Sequence, residues 1–188
     1  MLKIGVIGNA QRAGESLPPE QLQAAEAVGR AIAGAGAALI AGGTSGVMEA
    51  SARGAKEAGG LTVGFLPQAD TSHAHAYSDL LFPTGMGTMR NVLTARCSDA
   101  IIAVGGGVGT LNEITLAYDY AIPIVLLAGS GGWSDRLPPV LVDAKFLDER
   151  RVVAITVATS PEEAVKQAVT RGLEPRSGQT SLVGWAGQ

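Results

Sequence analysis

Short apolar runs alternate along this chain with longer stretches of helical period. Runs at residues 2–7, 37–41, 61–66, 80–83, 99–104, 122–127 and 152–157 read as strands bounded by glycine, proline or polar residues. After the first, Leu22, Ala25, Val28, Gly29 and Ile32 recur at spacings of three and four, with Gln21, Gln23, Glu26 and Arg30 between them. That is an amphipathic helix entered through Pro18-Pro19. The same reasoning predicts helices over 46–58, closed by Gly59-Gly60, and over 86–98, 111–118, 137–147 and 161–171. Ser160 stands as the cap of the last, with Pro161 at its first position and Glu162 and Glu163 in its first turn. Residues 68–78 read as a polar loop and 129–132 as a flexible one.

The run at 99–104 is apolar throughout, as strands buried on both faces of a parallel sheet are. Alternation of such strands with helices predicts an α/β fold, a single doubly wound, Rossmann-like, three-layer sandwich with a mostly parallel sheet. One domain is expected over 1–172, with an aperiodic surface tail at 173–188. No internal repeat or low-complexity linker divides the chain.

Composition narrows the function classes. With 46% hydrophobic and 16% charged residues among 188, the chain can bury a sizeable core and does not read as disordered. A net charge of −3 without any run of Lys or Arg argues against a nucleic-acid backbone or an acidic membrane surface as partner. No apolar run approaches the ~20 residues of a membrane span, and the start MLKIGVIGNA reads as a strand, not a signal peptide. The single cysteine, Cys97, forms neither an internal disulfide nor a cysteine zinc site, so a reducing, cytoplasmic setting is expected. Glycine, however, makes up 26 of the 188 residues, twice the ~7% of ordinary proteins, and requires an explanation.

Part of the excess gathers in two loops, each joining a strand to a helix. One holds Gly105, Gly106, Gly107, Val108, Gly109 and Thr110, the other Gly42, Gly43, Thr44, Ser45 and Gly46, with Met48 just beyond. Without Cβ atoms such a backbone approaches a ligand closely, and its N–H groups with those of the next helix can converge on a phosphate. The alternative is that the glycines only make tight turns. A dinucleotide fingerprint is absent, because no acid ends the strand after GGGVGT, and a Walker loop is absent, because neither loop contains lysine.

Glu113 follows Thr110 by three residues. It reads either as the partner of Thr110 in a capping box or as a carboxylate at the mouth of an anion site, able to orient water or stabilise a cationic sugar. Arg90 and Arg96 precede it on one helix, suited to phosphate or to bracing ion pairs. His73 and His75 read as an exposed loop pair, not a metal site, and Cys97 as a small buried apolar residue. Ser45 lacks the flanks of a nucleophile elbow.

Together these motifs resemble the LOG ("Lonely Guy") family of phosphoribohydrolases, long mislabelled as lysine decarboxylases. GGGVGTLNE at 105–113 is similar to its PGGxGTxxE signature, residues 84–104 to its arginine-lysine segment, and GGTSGVMEA at 42–50 to its GGGxxGLMG loop. The resemblance spans about 2–157. It implies Arg90 and Glu113 as catalytic residues, phosphate contacts from Gly105, Gly106, Gly107, Val108, Gly109 and Thr110, and ribose or base contacts near Gly42, Gly43, Thr44, Ser45, Met48, Gly85 and Asn91. It further implies cleavage of a nucleoside 5′-monophosphate, of AMP or cytokinin riboside type, to free base and ribose 5-phosphate, without a required cofactor or metal, by a homodimer or homotetramer. Gly105 stands where the signature has proline and Asn91 where it has lysine. Both residues resemble a sister group that includes the molybdenum cofactor carrier proteins, which implies as the alternative a non-catalytic carrier with molybdenum cofactor, a pterin phosphate, as its ligand. Lysine decarboxylation is excluded, since none of Lys3, Lys56, Lys145 or Lys166 lies in a candidate site.

Overall fold

The computed structural model describes residues 1–12 and 14–175. Seven strands form one sheet: β1 (Lys3–Gly8), β2 (Ala38–Ala41), β3 (Thr62–Leu66), β4 (Leu80–Pro83), β5 (Ala100–Val104), β6 (Ile124–Leu127) and β7 (Ile155–Ala158). Every pairing is parallel, in the order β4-β3-β2-β1-β5-β6-β7. The chain builds outward from β1 to one edge, then returns beside β1 with β5 and builds to the other. The β1/β5 seam, where Gly8 pairs with Val104, is therefore the topological switch point.

Six helices cover the sheet: α1 (Pro19–Gly34), α2 (Val47–Glu57), α3 (Asn91–Arg96), α4 (Val108–Asp119), α5 (Gly132–Arg136) and α6 (Pro161–Gly172). The period of two along β5 assigns them to layers. Ala100, Ile102 and Val104 belong to one core with Val28 and Ile32 of α1, Ala52 of α2 and Ala164 of α6. Ile101 and Ala103 belong to the other, with Ile114 and Tyr118 of α4. All five β5 residues are buried, as its composition predicts.

The elements depart from the expected pattern in places that have local causes. The helix expected at 86–98 is a 3-10 turn, Gly87–Arg90, running into the short α3. The loop expected at 129–132 is instead ordered by Asp135, whose carboxylate accepts from the N–H groups of Gly129 and Gly131, both at 2.7 Å, and α5 begins inside it at Gly132. The helix expected at 137–147 is absent. Pro138-Pro139 supports only a 3-10 turn, Pro138–Val140, and Asp143 and Ala144 adopt positive φ of 51° and 55°, which no helix tolerates. The last strand starts at Ile155, after the backbone N–H of Val152 has been taken by the Tyr118 hydroxyl at 3.2 Å. Ser160 caps α6 as expected, accepting from Glu163 N–H at 3.2 Å. Of the tail expected from 173, residues 176–188 lie outside the described residues.

Candidate functional site

The second glycine loop leaves β5 at the switch point and enters α4. Its helix begins earlier than the sequence pattern suggests, at Val108, with Gly107 as an extended N-cap that has no side chain to offer. Thr110 is therefore the third residue of the helix and not its cap, and no Thr110–Glu113 capping box forms. The first-turn N–H groups of Val108, Gly109 and Thr110 stay uncapped by any side chain, and the helix dipole favours an anion there.

Glu113, freed from capping, turns to Arg90. Arg90 Nη1 donates to Glu113 Oε1 at 3.1 Å and to Thr94 Oγ1 at 3.2 Å, while Nη2 lies 3.9 Å from Met48 Sδ. Both residues are buried, Arg90 8% exposed and Glu113 6%, and the Arg90 Nε has no partner among the described residues. Burial pushes the Glu113 carboxyl up to about 7, and Arg90 opposes that rise without cancelling it.

A cleft of about 400 Å³ opens against this pair and the α4 terminus. Of the site residues expected from sequence, Met48, Arg90, Asn91, Gly107, Val108, Gly109, Thr110 and Glu113 line it. Gly42, Gly43, Thr44, Ser45, Gly85, Gly105 and Gly106 do not; they support it from behind. A Cβ at Gly42 would fall on the Arg90 guanidinium, so this glycine makes room for Arg90. The Gly43 carbonyl accepts from His75 N–H at 3.2 Å, and Thr44 Oγ1 reaches Met48 Sδ at 3.8 Å. Ser45 Oγ donates to the Gln11 carbonyl at 3.1 Å and accepts from its N–H at 3.2 Å. Gly85 donates to the Gln68 carbonyl at 2.9 Å. Gly105 and Gly106 are held by Ser130 Oγ and Asn9 Oδ1 at 2.7 and 2.6 Å. Asn91, where the resemblance expects lysine, donates to Asn112 Oδ1 at 3.0 Å and ties α3 to α4.

Outside the cleft, Arg96 is exposed and lies over the Tyr120 ring at 5.3 Å. Cys97 is half-buried and not fully buried. His73 is exposed as expected, but His75 is not. It is 8% exposed, with Nδ1 accepting from Tyr77 N–H at 3.2 Å, and burial holds its pKa below the usual histidine range. Among the described residues no cluster of His, Cys, Asp or Glu could hold a metal, and no helix is long and apolar enough to cross a membrane. Sequence reasoning missed the β1 loop, where Asn9, Arg12, Glu15 and Leu17 line the cleft. The rule that ligand sites gather beyond the carboxyl ends of strands at a switch point was the signal available for Asn9.

Fold and cleft together define a Rossmann-like α/β protein whose site lies at the β1/β5 switch point. The chain belongs to the SLOG cluster4 family, a LOG-like family whose model matches residues 1–165. An uncharacterised protein from Archaeoglobus fulgidus is 37% identical over 174 residues, covering 93% of this chain and 99% of its own. A cytokinin riboside 5′-monophosphate phosphoribohydrolase from Mycobacterium tuberculosis is 38% identical over 99 residues, about half of either chain (50% and 52%). Among solved structures, the molybdenum cofactor carrier protein of Chlamydomonas reinhardtii is 34% identical with a TM-score of 0.76, covering 93% of this chain and all of that one (100%). The molybdenum cofactor binding protein of Rippkaea orientalis has the same identity and TM-score (34%, 0.76), covering 90% of this chain and 96% of its own.

Proposed function

We propose that this protein binds a small phosphorylated ligand with its phosphate at the α4 N-terminus, and hydrolyses the N-glycosidic bond of a nucleoside 5′-monophosphate of AMP or cytokinin riboside type. A buried carboxyl with a pKa near neutrality, 3.1 Å from a buried arginine and beside an uncapped helix terminus, is the observation that carries this reading. A general acid or base works best when its pKa lies near the operating pH. Water adds at C1′ as the C1′–N bond breaks; Glu113, as carboxylate, takes the water's proton, the base leaves with a proton, and ribose 5-phosphate results. Positive charge growing on the sugar is stabilised by the same carboxylate, while Arg90 orients Glu113 and the phosphate side of the ligand. A cleft of about 400 Å³ falls within the ~300–1,000 Å³ usual for sites of this kind.

A second reading, a non-catalytic carrier of molybdenum cofactor, is favoured by a separate observation. Asn91 occupies the expected lysine position and spends its NH2 on Asn112, and the likeness to the carrier proteins runs over nearly the whole chain. The same cleft would then hold a pterin phosphate as cargo. One assay separates the two. Incubation with AMP and cytokinin riboside monophosphates should release free base from the wild type and not from Glu113→Gln or Arg90→Ala. No release from any of them, together with molybdopterin retained on the purified protein, rejects hydrolysis in favour of the carrier.

A further inference from the structure

The inference concerns Asn9 and rests on the reading that an anion sits at the α4 N-terminus. Asn9 is the first residue after β1, and its carbonyl accepts from Val47 N–H at 2.9 Å, which fixes its main chain to the start of α2. Its side-chain oxygen accepts from Gly106 N–H at 2.6 Å and from Gln21 Nε2 at 3.2 Å. Neither end of this carboxamide is free to rotate. A backbone N–H can only donate, so the atom facing Gly106 has to be the oxygen. The Gln21 amide is fixed in turn, because its Nε2 also donates to the Ser130 carbonyl at 2.7 Å, leaving the buried Gln21 Oε1 without a partner among the described residues.

With the oxygen committed twice, the Asn9 NH2 is oriented by elimination. No acceptor among the described residues takes it, and Asn9, half-buried, lines the cleft together with Gly107, Val108, Gly109 and Thr110. The NH2 is bonded to the same carbon as an oxygen held 2.6 Å from Gly106 N, so it lies beside the glycine loop whose first helical N–H groups are open. We propose that Asn9 is a ligand-binding residue that donates to an oxygen of the anion at α4 while its own oxygen shapes the loop beneath. The anion is thereby gripped from two strands, by the α4 terminus that follows β5 and by the side chain that follows β1.

Asn9→Asp separates the two functions of the side chain. A carboxylate still accepts from Gly106 and Gln21, but it removes the NH2 and places negative charge beside the ligand. In calorimetric titrations with AMP and with inorganic phosphate, Asn9→Asp should bind each at least about tenfold more weakly than wild type. The defect should shrink as salt is raised, while the melting temperature stays within about 3 °C. Unchanged affinity in Asn9→Asp, where Gly107→Val abolishes binding, overturns the role of Asn9 and leaves the anion site standing. Absence of binding by the wild type to both probes overturns both. Should Asn9→Asp melt lower, Gln21→Leu is the control, since it loosens the same network without touching the NH2. An affinity loss in Gln21→Leu equal to that of Asn9→Asp, at equal loss of melting temperature, also overturns the inference.

Discussion

Loops 42–46 and 105–110 look alike as sequence: each follows a parallel strand, is rich in glycine and leads into a helix. In the folded chain they do opposite things. Loop 105–110 faces outward at its far end, where Gly107 and Gly109 have open space beside them, and it lines the cleft. Loop 42–46 faces inward. Gly42 leaves a slot filled by the Arg90 guanidinium, and Ser45 holds the β1 loop through Gln11. A glycine thus marks room for something, and the sequence does not say whether that something is a ligand or a side chain of the same protein. Even within loop 105–110 the division recurs, since a Cβ at Gly105 would collide with the Gln21 and Asn9 amides.

The contrast can be broken most directly at Gly107. Its backbone suits any residue and its missing Cβ points into space, so Gly107→Val should fold normally yet obstruct the helix terminus. Loss of two charge-assisted hydrogen bonds, about 4 kcal/mol, corresponds to a roughly thousandfold weaker affinity for AMP by calorimetry. Wild-type affinity in that variant would mean that the outward loop is as closed as the inward one.

Next in size is the pH dependence of Glu113. Its folded pKa of about 7 lies above the ordinary 4.5, so between those values the folded state keeps a proton that the unfolded chain has released. Stability therefore falls as pH rises from about 4.5 to 7, by up to about 3 kcal/mol, and is level above. Urea denaturation across this range should show that slope in the wild type and lose it in Glu113→Gln. A slope unchanged by the substitution would place the proton elsewhere.

Gly42→Ala should come third. The added methyl displaces Arg90 from its slot, costing about 2 kcal/mol and weakening the contact to Glu113. Stability equal to wild type would show that Arg90 swings aside freely and that the inward loop is not built around it. Ser45→Ala should be the mildest, below about 1 kcal/mol by thermal denaturation, because both of its hydrogen bonds are partly exposed to water. A larger effect would make Ser45 more than a tie to the β1 loop.

Much of the fold was legible because the strands are apolar throughout and the helices have one apolar face. Periodicity located all seven strands and the major helices, with β7 beginning three residues late. It failed at 137–147, where two prolines and two positive-φ residues break an apolar spacing that mimics a helix. The α4 boundary was misjudged for a related reason. Thr110-x-x-Glu113 has the form of a capping box, and only the three-dimensional approach of Arg90 shows that Glu113 is engaged elsewhere. His75 was read as exposed because a polar loop suggests water, whereas residues 68–78 fold back so that His75 reaches the Gly43 carbonyl through its backbone.

By itself, the sequence determined the parallel α/β architecture, the glycine loop that opens the site and the pairing of Arg90 with Glu113 as its reactive residues. These depend on local period, on backbone freedom and on residue type, all of which are properties of short stretches. Only the tertiary structure decided which glycines face the cleft and which make room for Arg90 and Gln21, that α4 starts uncapped at Val108, and that Asn9 belongs to the site. Those outcomes depend on contacts across the β1/β5 seam, between Asn9 and Gly106, 97 residues apart, and between Gly42 and Arg90. Packing of that kind follows from the register of the whole sheet, which no single stretch of the chain contains.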